Sequence, residues 1–494
     1  MKKAICAAII FVAIFGLWGC GSKKEQIGDS GWDPLPVSVS ESTEKQTHAI
    51  ELESGLMVEF DKDVMTLYGA DVTKVEIKDN RITQRLANVK TVIIKDGVDA
   101  ISDQAFSDAA CKSIERIEID SSVTKIGASA FSGCTSLVEI TVGDGVTTIG
   151  DKAFSGCTNL SEISFGQNLV SIGKRAFQGC EALKDITLGD NVDTISDYCF
   201  ADCKNLQTVE IGRSLTTVGE SIFSGCTNLE TVTTRSSVPS GMFESCASLK
   251  KAYLKDGVMV IERGAFSGCT ALSGVELDGA IQTIGNRAFY NCTSLQQIQI
   301  PQAVTKIDRE AFAGCTSLYS VEMSPDGSIE IIGEKAFSKC TSLTKIDIPK
   351  SVSLVEREAF SGCTSLYGVT MKVRNEAASL VFEDNVFSGC TGIKEIEFVE
   401  GVERIGSSVL EGCENLDTII LPKSMKKMGE KAFNGCGNIR HIWFRGNARE
   451  WKELVSRANS ISAFTGSILT DWDVQLNQFD LPNRQDIIKL GYSG

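Results

Sequence analysis

The most reactive side chains in this 494-residue chain are its 18 cysteines, and most of them recur at a fixed interval. Fifteen form one series, from Cys111, Cys134 and Cys157 through to Cys413 and Cys436, with 23 residues as the commonest step. A thiol can act as a nucleophile, a metal ligand or half of a disulfide. Nucleophilic catalysis needs a base, and the chain has two histidines, His48 and His441, near opposite ends. Neither belongs to a G-x-S-x-G or H-E-x-x-H motif. Metal sites use close pairs such as C-x-x-C, which this spacing does not supply. Neighbours in the series would come within the Cα range of a disulfide, but their Cβ vectors would run parallel rather than toward each other. In most repeats the cysteine lies beside a phenylalanine and a leucine, a position that suits it as a small buried hydrophobe. The pattern predicts free, inert thiols, with disulfides as the alternative in an exported chain. Cys199 alone falls in a different slot, directly before Phe200, while Cys6 and Cys20 belong to the N-terminal segment.

Carboxylates are the other candidates. With 64 of them, a paired-carboxylate glycosidase is compatible with composition, yet no spacing singles out two, and solvated surface charge accounts for them better. No phosphate-cradling glycine loop or dinucleotide fingerprint is present. The expectation is a non-enzyme with no metal and no cofactor.

The elements that position these residues are repeats. Phe131, Phe154, Phe177, Phe200 and Phe223 are each 23 residues apart, and after one shortened step the series resumes at Phe243 and runs through Phe387, Leu410 and Phe433. A fixed period in the twenties marks a solenoid whose coils contact only their neighbours. Within one coil, Leu137, Ile140 and Val142 alternate as a short strand with one buried face. Gly143-Asp144-Gly145 turns the chain, the glycines supplying backbone angles for a tight corner. Val146 and Ile149, three apart, read as a single helical turn, and Ala153 leaves room for the ring of Phe154. Sixteen strand starts follow, from Val89 and Ile114 to Leu416 and Ile439. At about 4.8 Å per parallel neighbour the stack would be about 70 Å long.

Leu137-x-x-Ile140-x-Val142 resembles the strand half of a leucine-rich repeat. With Ile-Gly-x-x-Ala-Phe-Ser-Gly-Cys-Thr-Ser-Leu, the text resembles the BspA-like subclass of bacterial surface proteins over residues 89–445. The resemblance implies a repeat solenoid of about 23-residue period, with a parallel β-sheet on one face and short helical or turn segments on the other. The asparagine that usually turns the chain after the strand is not a ladder here. Asn168 and Asn191 fit, but Gly145, Ser214 and Ala303 do not.

Met1-Lys2-Lys3 precedes an apolar run from Ala4 to Leu17, a charged n-region and a short h-region that read as a signal peptide over residues 1–19. Leu17-Trp18-Gly19-Cys20 resembles the lipobox of bacterial lipoproteins, although Trp18 is unusual there. Lipidation of Cys20 is the functional reading, and several acyl chains would anchor the protein stably. An ordinary secretory signal that ends at a cysteine is the alternative. Residues 20–47, rich in Gly, Ser, Pro and mixed charge, read as a lipid-anchored flexible tether. Residues 48–88 read as an N-terminal β cap over the first coil's open edge. Residues 446–494 read as a C-terminal helical cap and tail, with Trp451, Leu454 and Val455 on one helix face. Phe464, Ile468, Trp472 and Leu476 suggest that part of the tail packs too. Register breaks fall near Phe106, at residues 324–328, at 372–383 and before Val238. They mark either binding loops or drift in surface turns.

A net charge of −15 argues against nucleic-acid binding and against direct adhesion to anionic lipid, leaving the lipid anchor as the only membrane contact. Binding would then use the outward strand positions, with Glu210, Tyr253, Glu276, Glu322, Asp347, Glu397 and Trp443 as candidate contacts. A solvent-facing array must be polar in any case, so solubility alone could account for it. The resemblance implies a surface-anchored adhesion lipoprotein, monomeric, that binds an extracellular or envelope protein. A glycan- or peptidoglycan-binding envelope module is the alternative, for which more exposed aromatic side chains than Tyr253 and Trp443 would be expected.

Overall fold

The computed structural model describes residues 49–456, apart from 70, 71, 74, 78, 108 and 373–378, together with 474–476 and 488–490. The signal segment, Cys20, the tether, His48 and the tail residues Phe464, Ile468 and Trp472 lie outside the described residues.

Alternating apolar residues form the strands predicted for them. Sixteen short strands, from Thr91–Ile94 to His441–Phe444, line one face of a parallel solenoid. Equivalent residues of successive coils pair directly, as in Arg116↔Glu139 and Glu139↔Glu162. Ile140 and Val142 point inward and are buried, while Thr141 points out.

The stretch read from Val146 and Ile149 as a helical turn is not helical. Thr148–Ile149 is instead a two-residue strand, pairing with Lys125–Ile126 before it and Ser171–Ile172 after it. The β-branched Thr147-Thr148-Ile149 run favours extended backbone. In addition, Gly150 N–H donates to the Ile126 carbonyl at 2.8 Å, a bond between coils that a helical turn would forgo. A second, narrow parallel sheet results.

The third corner carries the phenylalanines and cysteines. Thirteen rings, Phe106 to Phe387, stack on successive coils with centroids 5.0–5.6 Å apart and planes within 16° of parallel. Each ring's own backbone N–H donates to the next coil, as Phe131 does to the Ala153 carbonyl at 2.8 Å. The residue two before each ring must turn left-handed: Ser129, Lys152 and Arg175 have φ of 53°, 55° and 58°. Glycine is needed elsewhere for a different reason than the one read from the sequence. Gly143 and Gly145 are absent from the left-handed residues. A Cβ on Gly145 would sit 1.8 Å from the Ser121 carbonyl oxygen, so crowding by the preceding coil excludes a side chain there.

Both ends of the stack are covered. Met57–Asp61 and Val64–Tyr68 form an antiparallel hairpin whose second strand pairs in parallel with Thr91–Ile94. A helix, Asn80–Leu86, interrupts the expected β cap. Asp79 caps it by accepting from Arg81 N–H at 2.7 Å, and Ile82 and Leu86, four apart, are buried. At the other end the helix Ala448–Ser456 starts on a capping box. Asn447 Oδ1 accepts from the N–H groups of Arg449 and Glu450, and Glu450 Oε2 accepts from Asn447 N–H at 2.9 Å. Trp451 packs on Phe444, with ring centroids 5.4 Å apart. Val474–Leu476 extends the face sheet beyond His441–Phe444.

Candidate binding surface

The thiols are disposed for structure. The sixteen described cysteines are all buried, and the fifteen other than Cys111 are free thiols. From Cys134 to Cys413 each member of the column donates its S–H to the carbonyl of the ring residue one coil back, for example Cys157 to Phe131 and Cys292 to Phe266, both at 3.2 Å, and Cys436 donates to the equivalent Leu410 carbonyl. The same carbonyl accepts the N–H of its own coil's cysteine, as Phe131 does from Cys134 at 3.3 Å. Both lone pairs of a buried oxygen are thus used, which alanine at this position could not achieve. The sequence identified the burial but missed the donor role. Burial pushes the thiols of Cys199, Cys292, Cys315 and Cys340 up, Cys315 to about 12, which removes from them the thiolate that nucleophilic or redox chemistry requires, whereas a hydrogen bond with Cys413 holds Cys436 below the usual thiol range. Among the described residues, no cluster of three or more His, Cys, Asp or Glu side chains could hold a metal ion.

The strand face remains. The seven candidate contacts all occupy the same outward position of their coils, and so lie in one longitudinal row. Tyr253 and Glu276 are direct neighbours in register. Glu210 is two coils from Tyr253, through Thr233. Glu397 and Trp443 are likewise separated by Ile420. Glu322 and Asp347 stand on consecutive coils whose face strands do not pair. The row therefore does not form one site.

Several of its charges are already engaged. Lys255, in the turn after the Tyr253 strand, places its ammonium 5.0 Å from the Tyr253 ring centroid and 2.8 Å from Glu276. Sequence reasoning passed over Lys255, although a lysine two residues after an outward tyrosine is the available signal. Each of these contacts is exposed and worth little by itself, but together they fix the ring's position. Asp347 accepts from the Thr370 hydroxyl, and Glu397 pairs with Arg445 two coils on.

The face is also interrupted. Its sheet divides after Glu162–Ser164, Gly274–Leu277, Ser320–Met323 and Gly368–Met371, while the narrow sheet continues behind each gap. At the first gap Phe165 replaces the aliphatic residue that ends most strands, and its ring stands edge-on to Phe177 at 5.8 Å. Ile163 and Phe165 are consequently only partly buried, and a cleft of about 480 Å³ opens beside them, lined also by Leu169, Asp185 and Leu188. A second cleft, of about 510 Å³, lies between Leu277, Gln299, Ile300 and Glu322.

A parallel stack with one broad polar strand face, a narrow second sheet and a phenylalanine corner defines a leucine-rich repeat solenoid, a class that is typically non-enzymatic. The model of the BspA type leucine rich repeat region matches residues 79–170, 133–239, 236–367 and 371–470, and the chain belongs to that family. Among solved structures it is similar to a leucine-rich repeat protein from Bacteroides ovatus, at 28% identity over 81% of this chain and 95% of that one, with a TM-score of 0.56. It is also similar to a leucine rich cell surface protein from Faecalibacterium prausnitzii, at 22% identity over 82% and 97%, with a TM-score of 0.32. No curated protein matches the chain.

Proposed function

We propose that the chain is an exported, surface-anchored adhesion lipoprotein that binds an extracellular or envelope protein on its strand face. Family membership supports a protein-interaction or adhesion role in general terms. The observation that carries the finer reading is the Tyr253–Lys255–Glu276 cluster, an aromatic ring held in place by charges on a scaffold of fixed pitch. A preordered aromatic group loses little entropy on binding and is over-represented among interface hot spots. A standard interface of about 800 Å² on one partner would span several coils around it.

Capture from host extracellular and envelope proteins identifies the partner. Tyr253→Ala combined with Glu276→Lys, which sets a second lysine beside Lys255, is then expected to weaken binding about tenfold or more, or about 1.4 kcal/mol. Full-strength binding with an unchanged circular dichroism spectrum would exclude this part of the face and direct attention to residues 372–383. For the anchor, Cys20→Ala is expected to release the protein from the membrane fraction or leave it unprocessed. Unchanged fractionation with normal maturation counts against lipidation.

A further inference from the structure

A second outward row has a different chemistry from the one just described. It is formed by the residue directly after each strand-start leucine. Over eight of the sixteen coils this row carries charge, including the ion pairs Lys90–Glu115, Glu230–Lys250 and Asp417–Arg440. Across five consecutive coils it carries none: Ser273, Gln296, Tyr319, Thr344 and Tyr367. Within that interval, Tyr319 and Tyr367 are 46% and 53% exposed, among the most exposed large apolar side chains of the described residues.

The two rings are carried in the same way. Each is tied to the second residue after the strand start of the preceding coil. Tyr319 shares a hydrogen bond between its hydroxyl and Gln297 Oε1 at 3.3 Å, while Tyr367 has Lys345 Nζ 5.5 Å from its ring centroid. Gly368 clears the space for that lysine, since a Cβ there would meet Lys345 Cγ at 2.9 Å. Thr344 lies between the two tyrosines on consecutive rungs. Its hydroxyl donates to the Tyr319 carbonyl at 3.2 Å, and Tyr367 N–H donates to the Thr344 carbonyl at 3.0 Å. The face strands do not pair on the first of these two steps, but the phenylalanine corner keeps the pitch, with ring centroids 5.2 and 5.3 Å apart on successive coils, which sets the two tyrosines about 10 Å apart.

We propose that Tyr319 and Tyr367 form a stacking platform for an uncharged, extended β-1,4-linked glycan chain. In such a chain alternate sugars turn the same face to one side, and the disaccharide repeat is close to this two-coil pitch. The apolar C–H face of a sugar stacks on an aromatic ring while its hydroxyls need polar neighbours at the rim, which Gln296, Gln297 and Thr344 supply. The row itself carries no charge across this interval, and the ammonium of Lys345 is held against the Tyr367 ring, which suits a neutral ligand. A protein hot spot would instead be ringed by contacts that exclude water, and here the flanking positions are polar and open. This platform is separate from the Tyr253 cluster and does not depend on the protein-binding reading. It supplies exposed aromatic groups that the glycan alternative lacked when judged on Tyr253 and Trp443.

Calorimetric titration of the mature chain with cellohexaose tests the platform. Cellohexaose is expected to bind, and cellobiose, too short to span both rings fully, to bind at least about tenfold more weakly. Maltohexaose, whose α-linkages curve the chain, should also bind at least about tenfold more weakly. Tyr319→Ala and Tyr367→Ala should each reduce cellohexaose affinity by about tenfold, and the corresponding Tyr→Phe variants should retain most of it. The length and linkage comparisons use the unaltered chain and so hold whatever a variant does to folding. Absence of binding to cellohexaose, equal affinity for maltohexaose, or binding untouched by both alanine variants overturns the proposal. Loss of a protein partner on those variants, with cellohexaose unbound, assigns the row to protein recognition instead.

Discussion

At the phenylalanine corner every coil from Phe106 to Phe387 stacks on the next, whereas the strand face built by the same coils is interrupted four times. The corner is held by three coincident ladders: ring on ring, N–H to carbonyl, and S–H to carbonyl. The ring and thiol ladders each demand one residue type at one position, whereas the backbone ladder does not; where Leu410 replaces the ring, the stack is lost but the backbone and thiol bonds remain. The face is held by backbone pairing and by apolar residues that tolerate exchange. At the first gap, where Phe165 enters, the strands separate, and at all four gaps the corner and narrow sheet keep the coils aligned behind the break. The coil pitch is thus maintained from the corner and the narrow sheet, which leaves the strand face free to vary in sequence and to open clefts.

The most severe test of this division is Phe289→Ala. It is expected to cost about 3–5 kcal/mol, since it empties a ring-sized volume and breaks two stacks at once. Coupling between neighbouring coils alone predicts local opening before global unfolding, so faster hydrogen exchange should appear first in residues 260–320. Unchanged exchange there would mean that the corner does not hold the coils together.

A paired measurement sharpens the contrast on the face itself. Ile163 and Ile186 occupy the same inward position on consecutive coils, but Ile186 is 1% exposed whereas Ile163 is only partly buried at the gap. Ile186→Ala is expected to cost about 2–5 kcal/mol, and Ile163→Ala about 1 kcal/mol less. Equal losses in denaturant unfolding would show that the gap is closed in solution.

The smallest effect is electrostatic and lies on the convex side. Glu310 is 6% exposed and pairs with Arg287 at 2.6 Å and Arg309 at 3.2 Å. Burial pushes its carboxyl up, but the two guanidinium groups outweigh burial and hold it below the usual glutamate range. A carboxyl depressed in the folded state stabilises fully above its unfolded pKa, and that contribution is lost as pH falls through the folded value. Glu310→Gln should therefore cost about 1 kcal/mol near neutrality, the exposure of both arginines limiting the gain. The difference from the parent chain should shrink as the medium is acidified below the usual glutamate pKa. A difference independent of pH would show that packing, not charge, is what Glu310 supplies.

The repeat text by itself determined the coil. Its period, inward residues, strand positions, buried thiol column and the row holding Tyr253 and Glu276 all follow from side-chain alternation and from one residue type recurring at one interval. These are local properties that each coil repeats, so sequence spacing and spatial position coincide. The Asn80–Leu86 helix was legible in principle from Asp79 and the Ile82/Leu86 spacing, but it was obscured by the alternation on either side. Tertiary structure decided what depends on two or more coils together. It gave the thiols carbonyl partners one coil back and turned Thr148–Ile149 into a strand by pairing it across coils. It excluded a Cβ at Gly145 through the Ser121 carbonyl. It also closed Lys255 onto Tyr253 and Glu276, and aligned Tyr319 with Tyr367 two coils away. In a solenoid these relations join residues some 20 to 50 positions apart, and their geometry is set by the pitch of the stack, which no single repeat contains.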